Sequence, residues 1–318
     1  MTQCDCKIKW NILSLPEWEE RFSAIPYSTL CQSYEYAQAI CPIQHQKARW
    51  GLIEINGKEA GLVQILEAGI LGNLLHGLHL DRGPLWFDGF GSAVHIKAFF
   101  DSFNREFPNR FGRRRRIIPE VLHGAAAISI LKGSNLTLVN DHGYETIWLD
   151  LHSDAAELRE NLDKKWRNAL SKAEKAGLEI SCDEAGQGAA AFLMGYSADR
   201  AAKGYDGPSV KLSAALIKAF GAKNRAWICT ARLDKRDIAA ILVLCHGSSA
   251  TYQIGWSSEE GRNTSAHNLL LWHVIQRLKQ NGYRYLDLGG VNDESAKGVK
   301  KFKEGLGGHA RRYAGQYI

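Results

Sequence analysis

The spacing of apolar residues in the first half of the chain predicts a β-hairpin, an amphipathic helix and a closing strand. Residues 49–55 and 60–66 are strand-like runs joined by Asn56-Gly57, a dipeptide that favours a tight hairpin turn. Between Ile96 and Phe107, apolar residues recur every three to four positions, which predicts a helix with one apolar face. A strand-like run at residues 145–151 closes this half.

The second half begins with a helix signal and continues with several strands. Asp154, followed three residues later by Glu157, is typical of a capping box, and it predicts a long helix that ends at Gly177. The apolar stripe of this helix is formed by Leu158, Leu162, Trp166, Leu170 and Ala173. Strand-like runs follow at residues 178–182, 226–233, 238–246 and 250–256, then a helix at 265–280 and a strand at 283–288.

Both halves therefore show a similar order of elements: helices, an antiparallel hairpin with further strands, a helix and a last strand. This order predicts an α/β protein with mixed sheets, built from two copies of one unit. We expect an N-terminal domain at residues 1–150 and a C-terminal domain at residues 151–318, with the C-terminal tail packing back on the first.

Composition is that of a globular protein, with 45% hydrophobic and 23% charged residues among 318. The sequence contains no apolar run of about 18 residues, so no transmembrane helix is expected. The first residues lack the apolar core of a signal peptide, which favours a cytoplasmic location. Seven cysteines at scattered positions, with no C-x-x-C pair, predict buried thiols rather than a disulfide framework or a zinc site.

The net charge of +6 is concentrated in the second half. Residues 1–150 hold 15 basic and 16 acidic residues (−1), and residues 151–318 hold 25 and 18 (+7). A basic half suits an anionic partner, such as a phosphate-bearing substrate or a nucleic acid, although a solvated lysine surface is an equal alternative. Four consecutive arginines, 113–116, either grip phosphate or, as we prefer, end the preceding helix in water.

The segment 287–308 combines a strand end, two glycine pairs and a basic stretch. The strand ends on Asp287 and the Gly289-Gly290 pair, and Phe302-Lys303 follows a polar loop. The glycines either permit a tight turn or let a substrate approach the backbone. Asp287 either caps that turn or accepts a proton from a reacting group, and Asp293 is a second candidate for this general base.

An ordered set of motifs resembles the Fem-type (FemABX) aminoacyltransferases of the GNAT-like superfamily. Residues 80–85 are similar to the family's "RGP" strand, and residues 164–168, 172–173 and 176–180 resemble its basic helix and the following strand. Residues 254–257 and the helix after them, then 288–291 with Phe302-Lys303 and residues 313–317, match the later signatures. The chain departs from the family in lacking an inserted helical hairpin and in having Gln253 where tyrosine is frequent.

The resemblance implies tandem GNAT-like domains and transfer of an amino acid from aminoacyl-tRNA to an amine of a peptide acceptor, such as a peptidoglycan precursor or a peptide metabolite. It places an oxyanion-stabilising cation at Lys303, beside Phe302. It places acceptor phosphate near Lys164 and Arg167, where basic residues of a solvated helix face are the alternative. Residues that are candidates for lining the substrate channel are Tyr252, Gln253, Trp256, Gly289, Gly290 and Phe302.

Neither a metal nor a cofactor is implied, because the histidines do not fall in H-E-x-x-H spacing and the chain has no Walker loop. Partners would be aminoacyl-tRNA and the peptide acceptor, with peripheral membrane contact if that acceptor is lipid-linked. One alternative is an acyl-CoA N-acyltransferase, although Ser265 and His267 stand where glycines would approach a pyrophosphate. A second alternative is a non-catalytic binding scaffold.

Overall fold

The structure, a computed structural model, describes residues 4–291 and 297–318, and its contacts divide the chain into two compact units. The first unit extends to Glu145 and includes Arg311–Ile318, and the second comprises Thr146–Ala310. Each unit has its own β-sheet and its own hydrophobic core. Within the described residues, no helix combines the length and the apolar character needed to cross a membrane.

A mixed β-sheet forms the centre of the first unit. Its strands are β1 (Cys6–Trp10), β2 (Lys47–Ile55), β3 (Lys58–Ile70), β4 (Leu75–Gly83), β5 (Leu85–Trp86), β6 (Arg113–Pro119), β7 (Leu138–Asn140) and β15 (Gln316–Tyr317). Its helices are α1 (Leu15–Ala24), α2 (Tyr34–Gln44), α3 (Ala93–Glu106) and α4 (Ala125–Gly133), with a 3-10 turn at Leu30–Gln32. The strands lie in the order β1-β2-β3-β4-β6-β15-β7, with β5 beside β3. The last strand of the chain therefore lies between β6 and β7.

A second mixed sheet organises the other unit. Its strands are β8 (Glu145–Asp150), β9 (Glu179–Asp183), β10 (Ala226–Leu233), β11 (Arg236–His246), β12 (Ser249–Ser257), β13 (Tyr285–Gly290) and β14 (His309–Arg312). Its helices are α5 (Ala155–Glu160), α6 (Lys164–Glu174), α7 (Ala189–Lys203), α8 (Val210–Gly221), α9 (Glu259–Asn263), α10 (Ala266–Gln280) and α11 (Lys297–Glu304). The strand order is β14-β8-β13-β12-β11-β10-β9.

The two units repeat one arrangement of strands. In the first, β2, β3 and β4 are antiparallel neighbours, and β4 pairs in parallel with β6. In the second, β10, β11 and β12 are antiparallel, and β12 pairs in parallel with β13. Each parallel pair is connected through a helix, α3 or α10, because parallel strands need a crossover connection. The predicted architecture of two mixed α/β units is confirmed.

Local turn and helix signals account for much of the first unit. Asn56 and Gly57 adopt φ values of 50° and 76°, as a two-residue turn between twisted strands requires. Helix α3 presents Phe99 and Phe103 to the core, where both are fully buried against the sheet. The apolar periodicity of this region therefore predicted both the helix and its buried face.

The long helix predicted after Asp154 is wrong in one respect, because it is two helices. Asp154 caps α5 by accepting from the Glu157 amide at 2.9 Å. Asp163 then caps α6 by accepting from the Lys165 amide at 2.8 Å, and its own amide donates to the Gly305 carbonyl. α5 ends at Glu160, and a second capping aspartate, Asp163, starts α6. The apolar stripe survives the break, since Leu162, Trp166 and Leu170 are buried in one core.

The four arginines expected at a helix end instead lie in strand β6. Their side chains alternate between the two faces of the sheet, so Arg114 and Arg116 are exposed while Arg115 is buried. Arg115 donates to the Phe107 carbonyl at 3.0 Å and to the Asn104 side chain. A run of four arginines shows no alternation of apolar and polar residues, so the sequence pattern did not indicate this strand. In the structure the arginines still alternate between exposed and buried positions.

The prediction of buried thiols in place of disulfides is wrong for one pair of cysteines. Cys182 of β9 and Cys229 of β10 form a disulfide, with their Cα atoms 4.1 Å apart. The two residues face each other directly in the antiparallel register of these strands. Their separation of 47 positions along the chain gives no indication of the pair, which arises from strand pairing alone.

Candidate active site

The parallel strands β12 and β13 of the second unit pair over a short segment and then part. Their register runs from Ser249 opposite Tyr285 to Thr251 opposite Asp287. Beyond this point β13 pairs with β8 through Gly290, while the pairing of β12 with β11 skips Gln253. A bulge of this kind bends a strand and re-aims its side chains. After Thr251 and Asp287, β12 and β13 are no longer paired with each other. The backbone groups on their facing edges are thus available to side chains from other elements.

Asp287 shapes an irregularity in the last residues of β13, where the pairing register with β8 shifts between Asp287 and Gly290. Its carboxylate is buried, with 3% of the residue exposed, and accepts from the Gly289 amide at 2.9 Å and from the Thr146 hydroxyl. Gly289 has a φ of +75°, and a Cβ there would lie 2.7 Å from the Tyr252 carbonyl oxygen. The carboxylate and the glycine therefore act together, because only glycine fits both this conformation and this approach.

Lys303 of α11 directs a buried ammonium group into the same region. The residue is 6% exposed, and its Nζ donates to the Gly290 carbonyl at 2.9 Å. The Nζ also lies 5.5 Å from the centre of the Tyr252 ring. Burial lowers the pKa of this ammonium to about 8, although the nearby Asp287 charge acts in the opposite direction. At neutral pH the Lys303 side chain is thus largely protonated, and its charge lies where β12 and β13 separate.

Phe302 anchors α11 through an aromatic cluster. Its ring centre lies 5.9 Å from that of Trp166 on α6 and 6.3 Å from that of His267 on α10. Gly305 follows at the end of the helix, where a Cβ would lie 2.9 Å from the Trp166 ring. This packing fixes the helix that carries Lys303, so Phe302 positions the cation.

His267, which was not predicted as a site residue, approaches the predicted channel residue Tyr252 beside Gly255. A Cβ at Gly255 would lie 2.8 Å from the Tyr252 hydroxyl and 2.9 Å from His267 Nε2. Burial lowers the pKa of His267 to about 4, which makes the imidazole neutral at pH 7. The glycine therefore leaves room between two neutral hydrogen-bonding groups.

An ion pair at the end of α7 borders this group and was also missed. Asp199 accepts from Lys203 at 2.6 Å, and the Tyr205 hydroxyl lies 3.4 Å from the same carboxylate. Burial, together with the Asp199 charge, raises the pKa of both Tyr205 and Tyr252. Positions four residues apart on one helix face were the available signal for the ion pair.

The predicted channel residues of β12 have different surroundings. Gln253 is half-buried at the bulge. Trp256 packs against α7 so closely that a Cβ at Gly195 would lie 2.4 Å from its ring. Its buried indole Nε1 finds no hydrogen-bond partner among the residues that the structure describes. Trp256 therefore has the contacts of a packed aromatic residue.

The two basic residues predicted to hold phosphate lie in the first turn of α6. Lys164 is exposed, while Arg167 is half-buried and donates to the Glu160 carbonyl at 2.7 Å. This turn adjoins the end of α11 through the bond between Asp163 and Gly305. Asp293, the second candidate for a general base, lies outside the described residues.

The segment before α10 bears on the identity of the donor. The amides of Arg262, Thr264, Ser265 and Asn268 already donate to carbonyl groups of the same segment. The short helix α9 occupies residues that would otherwise form an open loop, and Ser265 adopts a φ of 59°. A pyrophosphate needs several unpaired amides at a helix N-terminus. The segment is therefore poorly suited to hold the pyrophosphate of CoA.

Comparison with known proteins bears on the fold. Residues 156–304 match the family model described as an acetyltransferase (GNAT) domain. The chain is similar to the crystal structure of FemX, with 15% identity and a TM-score of 0.80 over 97% of this chain and 96% of that one. It also resembles a conserved protein of unknown function from Bacteroides thetaiotaomicron VPI-5482, with 11% identity and a TM-score of 0.60 over 98% of each chain. No curated protein sequence matches it.

The match to the GNAT domain model lies within the second of the two α/β units. Over nearly its whole length the chain has the fold of FemX. The predicted Fem-type resemblance is thus confirmed for the fold.

Proposed function

We propose that the protein transfers an amino acid from aminoacyl-tRNA to an amine of a peptide acceptor. The observation that carries this proposal is the buried ammonium of Lys303, held at the parting strands β12 and β13. Burial of a charged lysine is costly, as its lowered pKa indicates, and neither core packing nor solubility requires it there. A cost of this kind is typical of a functional site rather than of a passive scaffold.

The chemistry needs a cation where negative charge develops. The acceptor amine attacks the ester carbonyl of the aminoacyl group, forming a C–N bond and a tetrahedral oxyanion. The intermediate then collapses as the bond to the ribose oxygen breaks, and the amine proton is lost to solvent or to the leaving oxygen. A positioned donor beside such an oxyanion contributes about 2.7–4 kcal/mol. We assign this role to Lys303.

Asp287 supports the cation in this proposal instead of removing the amine proton. Its carboxylate already accepts from Gly289 and Thr146, which leaves it poorly placed to bind a substrate amine. Its negative charge raises the pKa of Lys303 against the effect of burial. Asp287 thus helps to keep the ammonium protonated at neutral pH.

We further propose that the basic turn of α6 binds phosphate of the acceptor. Lys164 is exposed there, and Arg167 has one nitrogen engaged with Glu160, so the remaining face of its guanidinium can bind an anion. The turn adjoins α11, which carries Lys303, so a ligand held by it would lie near the cation. Tyr252, Gln253 and the Gly289-Gly290 pair border the same end of the sheet and are proposed to contact the extended substrate.

The pH dependence of transfer distinguishes a cationic role for Lys303 from a basic one. The folded pKa of about 8 lies below the ordinary value of 10.5, so the charged form is lost as pH rises through about 8. We expect kcat to fall above this pH in the wild-type protein. In Lys303→Arg, whose charge persists above pH 12, the rate is lower but this fall is absent. The acceptor amine titrates equally in both proteins, so an identical profile in the two would contradict the cationic role.

The donor is tested by incubating the purified chain with labelled aminoacyl-tRNA pools or acetyl-CoA, together with peptidoglycan-precursor and simple amine acceptors. We expect transfer from aminoacyl-tRNA that is abolished by prior RNase treatment. Transfer from acetyl-CoA alone would replace the proposal by the acyl-CoA alternative. Binding of acceptor without transfer from either donor, unchanged in Lys303→Ala, would support the scaffold alternative.

A further inference from the structure

The first unit exposes a group of large apolar side chains at one end of its sheet. Ile70, Leu71, Leu74 and Leu75, at the turn between β3 and β4, are 61%, 75%, 59% and 45% exposed. Phe111, in the loop before β6, is 96% exposed. These five residues form the apolar tip of the first unit. Clustered exposure of this kind marks an interaction site, whereas single exposed apolar residues do not.

The two parts of the apolar tip are held together by one arginine. Arg110 donates through Nη1 to the carbonyls of Leu74 and Phe111, each at 3.0 Å, and through Nη2 to that of Asn73. Gly112 completes the contact, because a Cβ there would lie 2.4 Å from the Leu74 carbonyl oxygen. The turn and the Phe111 loop therefore form one surface with a fixed backbone.

The backbone of the turn presents its leucine outward. Leu71, Gly72 and Asn73 adopt φ values of 53°, 65° and 66° in succession. Leucine disfavours this left-handed conformation, which glycine and asparagine tolerate. The Leu74 amide donates to the Leu71 carbonyl at 3.2 Å, so the turn is closed with the Leu71 side chain held in solvent, where a partner surface could bury it.

Basic side chains predominate beside the apolar tip, where Arg110, Arg113 and Arg114 lie. The neighbouring carboxylate of Glu67, on β3, is engaged by Arg49 at 2.7 Å and by His76 at 3.1 Å. Arg114 is exposed and Arg113 is half-buried, both at the start of β6 next to the tip. Apolar side chains rimmed by arginines complement an anionic bilayer, in which the apolar groups enter the interface and the guanidinium groups bind lipid phosphates.

We propose that the apolar tip docks the protein on an anionic membrane surface. The apolar residues project from the ends of neighbouring strands. Projecting side chains of this kind can insert among lipids, whereas a peptide would need a groove. Leu71 and Phe111 supply the inserted groups, Arg110 holds them in place and Arg114 contacts headgroups. This docking does not depend on the donor or acceptor of the reaction.

The test is co-sedimentation of the full chain with vesicles of phosphatidylcholine, with or without phosphatidylglycerol. We expect binding that requires phosphatidylglycerol and falls at least about tenfold in L71S/F111S. Met194→Ser is the matched control, because Met194 is 74% exposed in the second unit and should not change binding. Arg114→Gln should weaken binding several-fold, and Lys211→Gln, an exposed lysine of the second unit, should not.

Two results would overturn the proposal. One is equal sedimentation of wild type and L71S/F111S with phosphatidylglycerol vesicles, when both show the same thermal unfolding. The other is concentration-dependent self-association without lipid that L71S/F111S abolishes, which would make a second copy of the chain the occupant of the tip.

Discussion

Replacement of Lys303 by methionine should lower kcat by about 10²–10³-fold, the effect of losing one oxyanion donor in other enzymes. Methionine keeps the length and apolar contacts of the lysine but supplies no charge. The Gly290 carbonyl, which Lys303 Nζ contacts at 2.9 Å, loses its donor but can be hydrated if the site opens to water. The measurement is the initial rate of transfer with the donor identified by the RNase experiment. A rate within a few-fold of wild type would remove Lys303 from the mechanism.

The same variant should be more stable than the wild type. A shift of the Lys303 pKa from 10.5 to about 8 means that the folded state disfavours the charged form. Each unit of such a shift corresponds to about 1.4 kcal/mol, so the gain is at most about 3–4 kcal/mol. Between pH 8 and 10.5 the unfolded chain binds more protons, hence wild-type stability rises with pH in this window and that of Lys303→Met does not.

Lys301→Met is the matched control for both measurements. Lys301 lies on the same helix but is exposed, so neither kcat nor the free energy of unfolding should change appreciably. Loss of activity in both variants would instead indicate that methionine disturbs helix α11 itself, and the effect could not be assigned to the charge of Lys303. Loss of stability in Lys303→Met would show that the bond to Gly290 outweighs the cost of burying the charge.

Replacement of Tyr317 by alanine should destabilise the first unit by about 3–5 kcal/mol, as large-to-small changes of buried aromatic residues do. Tyr317 is 2% exposed and belongs to strand β15, which pairs with both β6 and β7. Its ring joins the same core as Phe99 and Phe103. The cavity therefore opens at the junction of three strands, and the loss is expected in chemical denaturation followed by a probe in the first unit.

Tyr317→Phe separates packing from hydrogen bonding at this position. The Tyr317 hydroxyl is buried and has no partner among the described residues. Its removal should be neutral or stabilising, because an unsatisfied buried polar group costs about 1–3 kcal/mol. A marked loss of stability in the phenylalanine variant would mean that the hydroxyl is bonded in solution, through water for example.

Local patterns in the sequence were sufficient for features made by neighbouring residues. The Asn56-Gly57 turn and the buried face of α3 follow from short-range backbone and periodicity rules. The segment from Asp287 to Gly290 was recognisable as special because its residue types are unusual at a strand end. Such signals need no knowledge of which strands meet.

Features made by distant segments were not accessible in the same way. The disulfide between Cys182 and Cys229 depends on the register of two strands, and no spacing rule encodes it. His267 lies beside Tyr252 because Gly255 leaves room between them. The sequence drew attention to this histidine only as a departure from a pyrophosphate-binding loop, and not as a neighbour of Tyr252. The pairing of strands, which sets these contacts, is a property of the whole chain.

The position of β15 has a consequence for synthesis of the protein. Strands β6 and β7 of the first unit are bridged by a strand that is translated after the whole second unit. At about 5–20 residues per second, the ribosome needs on the order of ten to thirty seconds to reach it after β7. During this interval β6 presents an unpaired edge, which is the kind of surface that chaperones shield from aggregation. The first unit to emerge is thus expected to be completed last.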